Sequence, residues 1–300
     1  MGKIAFVFAG QGAQTVGMGS DIADRFDSAG RLFELSPSIR DLCRNGPKER
    51  LDITVNTQPA LFLTGLACAA ALTEKGVAAD GAAGFSLGEV TAACCAGLME
   101  PPRAFAFVRL RAEAMQRCAE KQKGCMFAVL RLTASEAERV CAALPQAYPV
   151  NYNCPGQTVV ACAESVSDEL QKRVAEAGGK TVRLAVSGAF HSPLMDDAAE
   201  RAAAYLENEP FGPARIPLYA NATGQQYANP KETLAKQINH PVLWQKTVET
   251  MTADGFDTFV ELGPGKTLSG LIAKINADAR VFNVSDIQSL EKTVEGLGYA

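Results

Sequence analysis

The pentapeptide Gly84-Phe85-Ser86-Leu87-Gly88 constrains the architecture of this 300-residue chain more than any other stretch. It stands between an Ala/Gly-rich run and a segment that reads as a helix from about Glu89 to Ala96. In a G-x-S-x-G pattern the flanking glycines let the backbone turn sharply from strand to helix and leave the serine hydroxyl exposed at the turn. An elbow of this kind belongs to an α/β fold, and it makes Ser86 the candidate nucleophile. A chain with 26 glycines also meets the pattern by chance. The remaining residues must therefore supply the chemistry around it.

At 47% hydrophobic, the chain can bury one unusually large core or two ordinary ones. Charged residues make up 21%, the net charge is −4, and neither sign forms long runs. This argues against a nucleic-acid partner, which usually calls for a basic excess or stripe. Nine cysteines without a C-x-x-C pair suit a reducing, cytoplasmic setting, with Cys68, Cys118 and Cys141 expected to pack as small apolar groups. The opening Met1 to Phe8 reads as a buried strand rather than an export signal. No apolar stretch reaches membrane-spanning length without charges or breakers, so no membrane partner is expected.

A strand from Lys3 to Phe8 followed by Gly10-Gln11-Gly12-Ala13-Gln14 invites a dinucleotide-binding reading. That fingerprint needs a third glycine where Thr15 stands. The alternatives are a loop beside the active site, at the carboxyl end of a sheet strand, or a simple tight turn. After Asn56-Thr57-Gln58-Pro59 a helix is expected, with Thr57 or Gln58 near its cap, Pro59 in its first turn and an apolar body from Ala60 to Leu72. Pro101-Pro102 opens a second long helix running to about Gln122. On it Ala104, Val108, Arg111, Met115 and Cys118 share one narrow apolar stripe. A cation in that position needs a partner, because burying it unpaired costs several kcal/mol. Either an acidic residue or backbone carbonyls complete the pair, or the side chain reaches out to solvent, or the guanidinium waits at a pocket floor for a substrate carboxylate.

From Gly124 the texture changes. Met126 to Leu130 reads as a strand, and Thr133-Ala134-Ser135-Glu136 as a capping box opening a helix that ends near Leu144-Pro145. Val150 to Asn153 and Thr158 to Cys162 read as strands around the Pro155-Gly156 turn. Ser167 is expected to cap a helix from Asp168 to Ala177, and Thr181 to Val186 to form a last strand. The order βαββαβ is that of a ferredoxin-like domain. It is placed at 124–187 as an insert in a larger domain formed by 1–123 and 188–300, since a further strand follows at Thr258 to Leu262.

A serine nucleophile needs a general base, and the chain holds only His191 and His240. His191 lies in a small-residue turn leaving the insert, whereas His240 precedes a proline that enforces extended backbone. His191 is the better candidate. No acid stands out as a third member, so a dyad oriented by backbone carbonyls is as good a reading as a triad. Gly263-Pro264-Gly265-Lys266-Thr267 lacks the earlier glycine of a phosphate-binding loop, because Val260 stands there.

Taken together, Gly10-Gln11-Gly12-Ala13-Gln14, Thr57-Gln58-Pro59-Ala60, Phe85-Ser86-Leu87-Gly88-Glu89, Ala189-Phe190-His191-Ser192, the segment Gln237 to Trp244, and Glu261-Leu262-Gly263-Pro264-Gly265 resemble the motifs of malonyl-CoA:acyl carrier protein transacylases and related acyltransferase domains. The resemblance covers nearly the whole chain. It implies an α/β-hydrolase-like large domain with an inserted ferredoxin-like small domain, and ping-pong transfer of malonyl from malonyl-CoA to acyl carrier protein for fatty acid synthesis. It further implies catalysis by Ser86 and His191, an oxyanion hole from the N–H groups of Gln11 and Leu87, and a carboxylate site at Arg111. Met115, Asn153 and Phe190 would be further substrate contacts, and the carbonyl of Gln237 would orient His191. No metal or cofactor is implied, and a monomer is expected. A discrete acyltransferase for a polyketide synthase and a serine hydrolase are the alternatives. Many family members carry histidine where this chain has Phe85. Arg103, Arg109, Arg117, Lys121 and Lys123 read either as solvated surface charge or as contacts for CoA phosphates or an acidic carrier.

Overall fold

The N-terminal strand divides its side chains by parity. Ile4, Phe6 and Phe8 enter one apolar cluster while Ala5 and Val7 enter another on the opposite face. A strand buried on both faces must be central and covered by helices on both sides. The computed structural model, which describes residues 2–299, has this arrangement. Its strands are β1 (Lys3–Phe8), β2 (Gly81–Gly84), β3 (Gly124–Leu130), β4 (Ala147–Cys154), β5 (Gln157–Ala163), β6 (Lys180–Arg183), β7 (Leu218–Tyr219), β8 (Phe256–Leu262) and β9 (Arg280–Val284). Five of them form a sheet in the order β7-β2-β1-β8-β9, with every neighbouring pair parallel. The other four form an antiparallel sheet in the order β4-β5-β3-β6.

The two sheets meet through side chains that alternate on the smaller one. Cys125, Phe127, Val129, Val160 and Cys162 pack under the helices Ala134–Ala142 and Ser167–Glu176. From the opposite face, Met126, Ala128, Val159 and Ala161 join the main core of the larger layer. A backbone link reinforces this junction: Val242 N–H donates to Val150 at 2.7 Å, and Tyr152 N–H donates to Val242 at 2.9 Å.

Local signals set most element ends, but β3 and β4 start two and three residues before the expected Met126 and Val150, and four other ends depart for physical reasons. The helix Thr54–Glu74 starts before the expected cap. Thr57 Oγ1 donates to the carbonyls of Leu51 and Ile53, so it satisfies acceptors, and Pro59 sits in the second turn with no N–H to give Val55. Length and composition would let this helix cross a membrane, but it is a core helix, with 83% of its apolar window buried. Ser167 is the first residue of its helix rather than a cap, because the short 3-10 turn Glu164–Val166 leads into it. β6 ends at Arg183 instead of Val186, since after the Leu184 N–H bond to Met126 the chain leaves the sheet for the histidine turn. The elbow helix, Leu87–Cys95, begins two residues early because its first turn is the elbow itself. The Thr133/Glu136 capping box forms with both of its bonds.

Candidate active site

Register brings the loops together. Phe8 pairs with Gly84 on one side and with Leu262 on the other, so β1, β2 and β8 end level. The Gly10–Gln14 loop, the elbow and the Gly263–Lys266 loop therefore share the carboxyl edge of the sheet. Connections from β1 run one way to β2 and β7, then the chain crosses to β8 and β9 on the other side. Open α/β sheets bind ligands at such a reversal. A cavity of about 220 Å³ lies there, lined by Gly10, Gln11, Phe85, Asn153, Glu261 and Leu268 among others.

The elbow glycines are steric requirements. A Cβ on Gly84 would fall 1.9 Å from the carbonyl carbon of Gly88, and one on Gly88 would fall 2.1 Å from the Phe8 oxygen. Between them Ser86 adopts φ 53° and ψ −112°, a conformation an L-residue holds only when its surroundings enforce it. His191 also has positive φ, at 62°. Ser86 Oγ lies 2.7 Å from His191 Nε2, and His191 Nδ1 lies 2.8 Å from the carbonyl oxygen of Gln237. A carbonyl only accepts, so Nδ1 carries the proton, and Nε2 is left to accept from the serine hydroxyl. Burial, and then the charge of Arg111, push the imidazole down to about 4. It is therefore neutral at physiological pH, with Nε2 open to accept a proton.

Arg111 is fully buried at the middle of the helix Pro101–Lys121, on the same stripe as Ala104, Val108 and Met115. Its Nη1 donates to Gln58 Oε1 at 2.7 Å, and its Nη2 to Gln237 Oε1 at 2.6 Å and to Ser86 Oγ at 3.3 Å. Its Nε has no partner. Among the described residues no carboxylate approaches it within ion-pair distance. Desolvation lowers its pKa to about 10, with the nearby Glu89 acting in the opposite sense. A buried guanidinium held by neutral oxygens is an unfinished ion pair.

Other candidate residues are distributed around this centre. The backbone N–H groups of Gln11 and Leu87 have no hydrogen-bond partner among the described residues. Asn153 lines the cavity with its side-chain Oδ1 unpartnered. Met115 is buried, and its sulfur accepts from Gln58 Nε2 at 3.5 Å. Phe190 is buried beside the histidine but does not line the cavity. His240 is exposed and bonded to the Lys236 carbonyl and to Asn239, away from the serine. Phe85, which stands where many members of the resembled family carry histidine, lines the cavity and meets Trp244 edge-on at 5.7 Å. Arg103 and Lys121 are exposed and paired with Glu209 and Asp197.

Four groups at the site have no counterpart among the residues that the sequence singles out for a role. Gln58 holds Arg111, and its place in the Thr57-Gln58-Pro59 motif was the available signal. Asn221 bonds to the elbow backbone. Glu89 and Tyr227 pair beneath it at 2.5 Å, and burial raises Glu89 to about 7. Among the described residues no cluster of three or more His, Cys, Asp or Glu side chains could hold a metal ion.

Residues 5–289 match the family model described as acyl transferase domain. The malonyl CoA-acyl carrier protein transacylase of Bacillus subtilis (strain 168) is 35% identical, with 99% of this chain and 98% of that protein covered. The enzyme of the same name from Haemophilus influenzae is also 35% identical, covering 99% and 100%. Among solved structures, the malonyl CoA-acyl carrier protein transacylase of Clostridium perfringens superposes with a TM-score of 0.94 at 35% identity, covering 98% of this chain and 97% of that one. A malonyl-transacylase solved in complex with its type II PKS acyl-carrier protein gives a TM-score of 0.93 at 33% identity, covering 98% and 99%.

Proposed function

Because this chain belongs to the acyl transferase domain family, we propose that it moves the malonyl group from malonyl-CoA to the phosphopantetheine thiol of acyl carrier protein, in fatty acid synthesis. The observation that carries the reading is Arg111: a fully buried cation, lacking a carboxylate partner, placed 3.3 Å from the serine oxygen. A malonyl ester on Ser86 brings its free carboxylate within reach of that guanidinium. The carboxylate completes the ion pair with charge-assisted, bidentate bonds that an uncharged acyl group cannot make.

The reaction follows from the tautomer. Ser86 Oγ attacks the thioester carbonyl while its proton passes to His191 Nε2, and the Gln237 carbonyl steadies the imidazolium through Nδ1–H. The oxyanion takes the free N–H groups of Gln11 and Leu87, each worth about 3 kcal/mol of transition-state stabilisation. Collapse breaks the C–S bond, and the departing CoA sulfur takes the proton from Nε2. The carrier thiol then repeats the sequence in reverse, giving its proton to His191 as its sulfur attacks the malonyl ester. Asn153, like Asn151, lines the cavity with a free acceptor that can meet the pantetheine arm. Met115 and Phe190 act from behind, by shaping the walls. The nucleophile, base and donors all come from this chain, so the reading needs no cofactor. Nine free thiols fit a reducing, cytoplasmic setting.

Incubation with malonyl-CoA should add one malonyl group to Ser86, detected by mass spectrometry of peptides, and purified holo acyl carrier protein should remove it. His191→Ala should slow labelling far more than His240→Ala. A label elsewhere, or release of the ester to water at the same rate with and without carrier, would overturn the assignment.

A further inference from the structure

Ser86 stands in a positive-φ conformation of the kind that persists only when neighbouring groups over-determine it. The nucleophile, the base and the buried arginine do not explain what holds it there. Asn221, just beyond β7 (Leu218–Tyr219), commits every polar group it has to this region. Its side-chain Oδ1 accepts the Ser86 N–H at 2.7 Å, and its Nδ2 donates to the Gly84 carbonyl at 2.6 Å. Its backbone N–H donates to the Glu89 carboxylate at 3.2 Å, and its carbonyl accepts from Leu243 N–H at 2.8 Å.

One residue thus joins the end of β2, the nucleophile, the first turn of the elbow helix and the segment that follows His240. Asn221 is fully buried and Glu89 nearly so, so water cannot replace these bonds. Tyr227 fixes the far side by donating its hydroxyl to Glu89 at 2.5 Å. The geometry also has direction. Asn221 holds the Phe85–Ser86 peptide, while the Ser86 carbonyl accepts from Gln237 Nε2 and from Glu89 N–H at 3.0 Å, and the N–H on that second peptide, that of Leu87, is left without a partner among the described residues.

We propose that Asn221 is a positioning residue for acyl transfer. Its amide clamps the strand side of the elbow, from Gly84 to the Ser86 N–H, so that Ser86 Oγ stays on His191 Nε2, with Glu89 and Tyr227 bracing it from beneath. The clamp rests on the acyl-enzyme reading above. It predicts a loss in the rate of acylation and not in the binding of the acyl donor.

Rapid mixing with malonyl-CoA separates these quantities. The burst amplitude counts competent sites, the burst rate constant reports chemistry at each, and KM reports donor binding. Asn221→Ala should keep an amplitude near one per chain and a KM within about twofold, while the rate constant falls about 100-fold. Asn221→Asp keeps an acceptor for Ser86 N–H and loses the donor to Gly84, so it should fall between wild type and the alanine variant. Tyr227→Phe, which loosens only the brace, should lose about tenfold or less. An unchanged rate constant per labelled site in Asn221→Ala, or a loss seen wholly in amplitude or KM, overturns the clamp. If that variant does not fold, the same result in Asn221→Asp overturns it. Wild-type protein that forms no malonyl-Ser86 would overturn the acyl-enzyme reading itself, and the clamp with it.

Discussion

The carboxyl edge of the parallel sheet and the four-stranded antiparallel sheet are built on opposite principles. At the parallel edge Arg111, Glu89, Asn221 and Gln237 are buried together, and two side chains, Ser86 and His191, stand at positive φ. In the antiparallel sheet the helix-covered face is packed mainly with apolar side chains, from Cys125, Phe127 and Val129 to Leu170 and Val174, with Thr158 buried opposite Val129. Its positive-φ residues, Arg131, Gln146, Gly156 and Gly178, are confined to turns and connections. The first region gives up stability to hold charge and strain, and the second accumulates it from burial. Buried polar groups and backbone strain coincide where chemistry is proposed, whereas in the antiparallel region strain stays in the turns, away from the packed face.

The largest contrast is expected between two glycines. A methyl group at Gly88 meets the Phe8 carbonyl at 2.1 Å, backbone against backbone, with no side chain to move aside. Gly88→Ala should therefore abolish malonyl labelling of Ser86 and lower the melting temperature sharply. Gly156, in the turn between β4 and β5, would place a Cβ with nothing within 4 Å of it and has only its φ of 76° to defend. Gly156→Ala should cost about 1 kcal/mol and leave labelling intact. Similar losses from both would mean the edge is no more constrained than the insert.

Next in size is the charge at the edge. Arg111→Ala should reduce kcat/KM for malonyl-CoA by about 2–5 kcal/mol, the cost of breaking a buried charge pair. Transfer of uncharged acetyl should suffer less or improve. Equal losses for the two donors would sink the carboxylate site. The insert should give the reverse pattern. Leu170→Ala removes a fully buried side chain from its apolar face and should cost about 2–5 kcal/mol of stability by denaturant unfolding. Its acylation rate per labelled site should match wild type.

The two regions were also unequally legible. The insert is written in local signals: a T-x-x-E box at Thr133, a Pro-Gly turn and two short strands beside it, each needing only a few neighbours. The glycine spacing of the elbow and the misplaced cation on the helix Pro101–Lys121 are local too. What completes the edge is not. Asn221 is 135 positions from Ser86, and Tyr227 is 138 from Glu89, so no periodicity links them. Glu89 reads from sequence as an ordinary acid in a helix first turn, where the dipole favours it. Only the packing of β7 against β2 shows that it is buried. The missed helix start has a similar cause: Thr57 has the chemistry of a cap, but tertiary contacts let the helix begin at Thr54. Strand order could not be read at all, because it is set by which helices cross which face.

The smallest expected effect is a pH slope, and it separates the regions by sign. Burial lowers His191 from its ordinary 6.5 to about 4, so the unfolded chain binds that proton more tightly, and stability falls as pH drops from 6.5 towards 4. Burial raises Glu89 from 4.5 to about 7, so the folded chain binds its proton more tightly, and stability is lost as pH climbs from 4.5 through 7. The two slopes oppose each other across the same window. Glu89→Gln removes only the second, so the variant should gain on wild type between pH 5 and about 7 and level off towards pH 8 in urea unfolding. The acids of the insert, such as Glu164 beside Arg183, are exposed, and solvent screening should keep their contribution small over that range. A constant difference between Glu89→Gln and wild type from pH 5 to 8 would show that the carboxyl beneath the elbow is ionised throughout. The brace under Asn221 would then be a buried anion facing Arg111 rather than a group that titrates near neutrality.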